Sequence, residues 1–381
     1  MDFELTDTQK QVRETARTFA LERIAPHARD HDRKEIFPHD IYRELAQLGL
    51  MAVNVPARYG GAEAGAVAYS LAMMEIAHAC ASTSVAVGVT NMCAELITRF
   101  GTEAQREKFL TRITSGEHGV AAFALSEPHA GSDPAALRTT ARKDGDRWVL
   151  NGAKQWISSG AYSGVMVVWA KTSPDEGHRS LSAFLVEKDT PGLIVGKHED
   201  KMGLRGSNTV PLTFEDCVIP GENLVGAVGE GFKIAMMALD GGRIGIASQA
   251  CGVARAALEA SIRYAKDRKA FGHPISEFQG LRFQLANMKL ELAAAELLTL
   301  RAAQLKEDGK PFTREASMAK LFASEASNRI CDKAVQVHGG YGYIDEFPVE
   351  RFLRDARVQT IYEGTSEVQR MVIARSLSRS H

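Results

Sequence analysis

An α+β fold, mostly α and ordered as helices, then a β domain, then helices again, is what the sequence predicts from three observations. Apolar residues at helical spacing fill the first third, short β-prone runs between turn residues replace them near Gly119, and helical spacing returns beyond a glycine-rich joint at Gly226, Gly229 and Gly231. The expected domains are therefore residues 1–118, 119–228 and 229–381. A chain of 381 residues has room for two or three such units at roughly 150 residues each.

The elements follow in order. Thr6-Asp7-Thr8-Gln9 has capping-box spacing, and Val12, Ala16, Phe19, Ala20 and Ile24 continue at helical intervals, so a helix should begin near Thr8. Ile41, Leu45 and Leu48 repeat the pattern, with Gly49 as its stop. Residues 67–109 are rich in alanine and methionine with few breakers, which predicts closely packed helices. In the middle, Asp144-Gly145 and Asn151-Gly152 bracket Arg147-Trp148-Val149-Leu150 as turns, and residues 164–169 and 182–186 read as further strands. The glycine-rich joint has neither Rossmann nor Walker spacing and reads as a linker. After it, Phe278, Leu281, Leu285, Met288 and Leu292 form one stripe, and Ala316, Ala319, Ala323, Ala326, Ile330 and Ala334 another, so long helices should pack as a bundle.

Charge and cysteine content exclude several function classes. The 46 basic and 47 acidic residues nearly cancel, which gives no electrostatic reason to expect nucleic acid or an anionic membrane as partner. Cys80, Cys93, Cys217, Cys251 and Cys331 are scattered, odd in number and free of Cys-x-x-Cys, so no disulfide framework, zinc site or other metal site is expected. The start, Met1-Asp2-Phe3-Glu4-Leu5-Thr6, lacks the pattern of a secretory signal or transit peptide, and no stretch is apolar enough to span a bilayer. The expected location is a bacterial cytoplasm or, for a mature chain, the mitochondrial matrix.

Five segments carry candidate chemistry. Glu363 lies in Ile361-Tyr362-Glu363-Gly364-Thr365, between bulky residues and a glycine, where desolvation raises a carboxyl pKa and makes it a stronger base. Phe123-Ala124-Leu125-Ser126-Glu127-Pro128-His129-Ala130-Gly131-Ser132-Asp133 can present N–H groups and hydroxyls to a polar ring or phosphate. Lys154-Gln155-Trp156-Ile157-Ser158 puts an aromatic face and a hydroxyl on one side of a strand. Arg268-Lys269-Ala270-Phe271-Gly272, followed by Phe278-Gln279, sets two cations just past a helix. Gln336-Val337-His338-Gly339-Gly340-Tyr341-Gly342 breaks a helix with three glycines in four residues. Taken singly, each also has an ordinary reading: a helix end, a capped turn, a core tryptophan, a solvated cation pair, a loop histidine.

Together, in this order and at these separations, the segments resemble the acyl-CoA dehydrogenase family from about residue 3 to about residue 378. Ala124 to Asp133, and Gln336 through Arg351 and Asp355, are similar to its two signature patterns. Leu239-Asp240-Gly241-Gly242-Arg243-Ile244-Gly245 most resembles the short-chain branch. The resemblance implies a helical N-terminal domain, a β middle domain and a C-terminal four-helix bundle, assembled as a homotetramer built from two dimers, with FAD as cofactor. It places Phe123, Leu125, Ser126, Gly131, Ser132, Trp156, Ile157 and Ser158 around the flavin. Arg268, Phe271, Phe278, Gln279, Gln336, Val337, Gly339 and Gly340 would serve the flavin of the neighbouring subunit, and Thr365 and Glu367 would hold the dinucleotide from the other side. Ser132, Ser182, Asp240, Arg243 and Gly364 would contact the CoA thioester.

The implied reaction is desaturation of an acyl-CoA to the trans-2-enoyl-CoA, with Glu363 taking the α proton while the β hydrogen leaves as hydride to flavin N5, and an electron-transferring flavoprotein as electron acceptor. Some relatives carry the base at the position of Gly242, and a glycine there leaves Glu363 as the candidate. Ser126 and Ser158 replace the threonine of other members, and His129 a common glycine. An oxidase returning electrons to oxygen, a flavin-dependent monooxygenase and a scaffold without chemistry remain alternatives on the same fold. In this family the acyl tail lies between the helices after the β domain and the helix around residues 85–96. The short-chain likeness favours an unbranched acyl group of about four carbons.

Overall fold

The computed structural model describes residues 4–173 and 177–378, so Met1, Asp2 and Phe3 of the acidic N-terminal run lie outside the described residues. The fold is the expected α+β arrangement, with helices on either side of a middle sheet. Five helices lead: α1 (Asp7–Phe19), α2 (Ala28–Lys34), α3 (His39–Gln47), α4 (Gly65–Ala79) and α5 (Ala81–Phe100), followed by the short α6 (Glu103–Gln105) and α7 (Thr111–Thr114). The expected capping box forms, with Thr6 as the N-cap of α1: its hydroxyl accepts from the Gln9 N–H while the Gln9 side chain accepts from the Thr6 N–H. α4 buries nearly every residue and α5 most of its own, because alanine and other small side chains let helices approach closely.

The middle sheet comprises β1 (Val120–Ala124), β2 (Thr140–Asp144), β3 (Arg147–Ser158), β4 (Ser163–Lys171), β5 (Leu181–Glu187), β6 (Leu193–Val195), β7 (Thr209–Pro220) and β8 (Leu224–Val225). Its order is β6-β7-β3-β2-β4-β5-β8, with β1 pairing in parallel with β4. Asp144-Gly145 is the expected turn between β2 and β3, but Asn151-Gly152 is not a turn. It lies inside β3 at a register shift against β7, where a Cβ on Gly152 would stand 2.5 Å from the Thr139 hydroxyl. The glycine there admits the residue just before β2 rather than reversing the chain.

The last part contains α8 (Gly231–Asp267), a small hairpin of β9 (Lys269–Ala270) and β10 (His273–Pro274), α9 (Gln279–Glu307), α10 (Thr313–His338), α11 (Val349–Arg357) and α12 (Ser366–Leu377). α8 runs for 37 residues and packs against α4, α5, α9 and α10, so it is shared between both helical parts. The alanine stripe of α10 is fully buried against it. Two locks tie α11 to other parts of the chain. Arg354 donates to Asp32 of α2 at 2.6 and 3.2 Å. The Asp355 carboxylate accepts the Leu204 N–H at 2.6 Å, although burial pushes that carboxyl up to about 6. Among the described residues no helix is long and apolar enough to cross a membrane.

Candidate active site

Glu363 occupies the turn before α12, and its backbone is left-handed at φ 54, followed by Gly364 at φ 86. A non-glycine residue there holds strain of order 1–3 kcal/mol and persists only when its surroundings fix it. Gln369 Nε2 donates to the Glu363 carbonyl at 3.1 Å and the Gly364 carbonyl at 3.0 Å, and the buried Lys320 ammonium donates to Gly364 O at 2.7 Å. A Cβ at position 364 would stand 2.6 Å from Gln369 Nε2, so this turn needs glycine for space as well as for φ.

The side chain of Glu363 is placed in a desolvated pocket. The residue as a whole is half-buried, but its Oε2 is sealed from solvent and has no hydrogen-bond partner among the described residues. Burial pushes the carboxyl up to about 7, with Arg243 and Lys320 pulling the other way without offsetting it. A Cβ on Gly242 of α8 would stand 2.7 Å from Oε2 and 3.0 Å from Met92 Sδ, so positions 242 and 363 converge on the same space. The Glu363 N–H makes no hydrogen bond among the described residues. Beside it a cleft with ≈ 460 Å³ of empty space, its open mouth included, lies between α5 and α8, lined in part by Tyr69, Met92, Leu96 and Gly242.

A second wall forms where β1 meets β3. Gln155 N donates to Ser126 O at 2.9 Å, and the fully buried Lys154 ammonium donates to Leu125 O at 3.1 Å and to Glu127 at 2.8 Å. Glu127 also accepts the N–H groups of Arg138 and Thr139. Burial pulls the Lys154 ammonium down to about 8, against the opposing pull of Glu127. This clamp fixes Leu125 and Ser126 beside Trp156, which sits at φ 63 in a register shift of β3 and is 62% exposed. Ile157 turns into the core while Ser158 stays half-buried on the open side. Phe123 rests its ring 4.3 Å from Trp169, between centroids. Gly131 and Ser132 lie on the exposed loop beyond, and His129 Nε2 approaches Glu127 at 3.4 Å.

The remaining expected residues fall into separate groups. Arg268 lies over Tyr341 at 5.6 Å, Phe271 meets Phe278 edge to face at 6.2 Å, and Gln279 opens α9. Near them α10 ends at His338, before Gly339 at φ 58 and the exposed Gly340, with Gln336 exposed and Val337 buried in its last turn. Phe271 is 94% exposed. Among the described residues no hydrogen bond, ion pair or ring contact joins this group to Trp156 or Ser158. Thr365 caps α12 by accepting the Val368 N–H at 3.3 Å, and Glu367 is exposed in its first turn. Asp240 and Arg243 pair with each other at 2.5 Å, Arg243 also reaching Ser317 and keeping a buried Nε without a partner.

One expectation needs correcting. The Ser182 side chain is fully buried, its hydroxyl engaged by Thr172 at 2.9 Å and by the Gly229 N–H at 2.9 Å. It anchors the glycine-rich joint and has no free face for a thioester. Sequence reasoning also missed Lys320 and the Lys154–Glu127 clamp. The available signal was a lysine inside an otherwise small or apolar buried pattern, since such a cation is held only when something pairs with it.

Comparison with known proteins bears on the whole chain. Models described as the acyl-CoA dehydrogenase N-terminal, middle and C-terminal domains match residues 6–117, 122–217 and 229–378. The mouse protein "short-chain specific acyl-CoA dehydrogenase, mitochondrial" is 50% identical over 99% of this chain and 92% of its own length. The solved butyryl-CoA dehydrogenase of Megasphaera elsdenii is 43% identical, with a TM-score of 0.97 and full coverage of both chains. A chain from a structure reported as the electron transferring flavoprotein of Acidaminococcus fermentans, on flavin-based electron bifurcation, is 43% identical with a TM-score of 0.98, again covering both chains fully.

Proposed function

Since the chain belongs to the acyl-CoA dehydrogenase family along nearly its whole length, we propose that it desaturates a short-chain acyl-CoA thioester at Cα–Cβ, with Glu363 as the base. The observation that carries this reading is the Glu363 carboxyl itself: its Oε2 is sealed and without a partner, and burial lifts the group to about 7. A base of that kind is matched to neutral pH, because it is largely ionised just above its pKa and still holds a proton firmly.

The cofactor is FAD, and the second wall fits it: an exposed tryptophan face at Trp156, with the Ser126 and Ser158 hydroxyls on the open side of a rigid clamp. Bound FAD supplies the acceptor for the β hydrogen, which leaves with two electrons. This chain's residues do the rest. Glu363 Oε2 takes the α proton, and the free Glu363 N–H is available to the thioester carbonyl as negative charge builds on its oxygen. Arg243 and Lys320 favour the ionised carboxyl, while Met92 and the backbone at Gly242 keep water away from it.

Electron-transferring flavoprotein is the proposed acceptor, in line with the A. fermentans structure, and a bacterial cytoplasm or mitochondrial matrix the proposed location. A homotetramer is supported by α9, where Phe283, Leu290 and Leu297 are 60, 69 and 56% exposed and recur every seven residues as one apolar stripe. The group around Arg268 and Phe271, separate from Trp156 in the chain, suits the flavin of a neighbouring subunit.

Anaerobic titration of the purified yellow protein with butyryl-CoA tests the reaction. Bleaching of the flavin absorbance is the expected result, and a flavin left oxidised by butyryl-, hexanoyl-, isovaleryl- and glutaryl-CoA alike would refute it.

A further inference from the structure

The cleft beside the Glu363 carboxyl is lined by a phenol that the reaction leaves unused. Tyr69 reaches from α4 into the crossing of α5 and α8 at a point where both helices carry glycine. A Cβ on Gly245 would stand 2.6 Å from the Tyr69 hydroxyl oxygen, and a Cβ on Gly88 3.6 Å from it. Glycine inside a helix costs about 1 kcal/mol relative to alanine, and at Gly245 the cleared space is filled by the phenol. Tyr69 is 6% exposed, lines the cleft, and its hydroxyl has no hydrogen-bond partner among the described residues. For packing alone, phenylalanine would fill the same space, so the hydroxyl is left to meet whatever enters the cleft.

Three levels stack along the facing surfaces of α5 and α8, and Met92, Gly242 and Tyr69 of the first two line the cleft. At the first, Met92 of α5 and Gly242 of α8 face the Glu363 carboxyl. About one turn on, Gly88 and Gly245 flank the Tyr69 hydroxyl. One turn further, Ser84 of α5 accepts from Gln249 Nε2 of α8 at 2.9 Å, and Gln249 in turn accepts from the Tyr362 hydroxyl, which closes the space. The stretch from the base to Tyr69 is thus about one helical turn, roughly 5 Å.

We propose that Tyr69 is the specificity-determining stop of the acyl pocket: with the α carbon at Glu363, the chain runs toward the Tyr69 hydroxyl, and an acyl group of about four carbons fills the turn between them. The inference rests on the reaction proposed above. An acyl chain longer by two methylenes meets the phenol. Its oxygen sits where the next carbons would lie, set between Gly88 of α5 and Gly245 of α8.

The test uses the flavin-loaded protein and its Tyr69→Phe and Tyr69→Leu variants, with second-order rate constants for anaerobic bleaching by butyryl-, hexanoyl- and octanoyl-CoA. Wild type should prefer butyryl-CoA. Tyr69→Leu should raise the hexanoyl-to-butyryl ratio by about tenfold or more, and Tyr69→Phe, which removes only an oxygen, by less. Variants bleached by butyryl-CoA with the wild-type ratio would overturn the stop while leaving the reaction standing. If Tyr69→Leu loses its flavin, the Tyr69→Phe ratio decides alone, and no change there overturns the stop. Wild-type flavin bleached by no acyl-CoA would overturn both the reaction and the stop.

Discussion

Replacing Glu363 by glutamine should slow α-proton abstraction steeply and, above neutral pH, make the protein more stable. Burial raises the carboxyl from 4.5 to about 7, so the folded protein binds this proton more tightly than the unfolded chain. The stability that the proton confers is fully present below pH about 4.5, is lost progressively as pH rises, and is gone once pH passes about 7. At about 1.4 kcal/mol per pH unit, the ionised carboxylate at pH 8 costs the folded state at most about 3.5 kcal/mol. Glutamine has the same shape and no charge to desolvate. Thermal unfolding of the FAD-loaded wild type and Glu363→Gln at pH 5 and pH 8 reads the difference: Tm values close together at pH 5, and the variant higher by several degrees at pH 8. Anaerobic bleaching by butyryl-CoA gives the other half, a wild-type rate that rises with pH about a midpoint near 7 and a variant slower by a factor of about 10² or more. Equal Tm gaps at the two pH values would refute the desolvated carboxyl, and a variant that bleaches at the wild-type rate would refute the base.

Two further substitutions probe the geometry around it. Gly242→Ala places a methyl 2.7 Å from Glu363 Oε2, so the carboxylate must move; the bleaching rate should fall by about tenfold or more with flavin content retained, as read by absorbance and stopped flow. Arg354→Ala leaves Asp32 buried without its cation, which should cost about 3 kcal/mol and lower Tm at pH 7, and adding Asp32→Asn to the same variant should recover part of that loss.

The sequence by itself determined the class of the protein. Helical spacing with its caps, the short β runs and the glycine-rich joint give the α, β, α order, because local backbone preference and the period of apolar residues act over only a few positions. Five separated motifs together indicated the family, and through that resemblance the segment around Glu363 supplied the proposed base. Its limits were equally local. Asn151-Gly152 has the composition of a hairpin turn, yet it is the middle of β3, since only the approach of Thr139, just before β2, shows what that glycine admits. Ser182 looked available to a ligand until the Gly229 N–H, from a joint far along the chain, was seen to occupy it.

What only the tertiary structure decided is the state of each functional group. Desolvation of Glu363 depends on Met92, Gly242, Lys320 and Gln369, which come from three other helices and the turn's own α12. The position of Tyr69 against two glycines depends on how α4, α5 and α8 cross. A side chain's charge and reach are written in its residue type, but its dielectric surroundings, its partners and the space it closes arise from segments up to hundreds of residues away, and these exist only once the chain has packed.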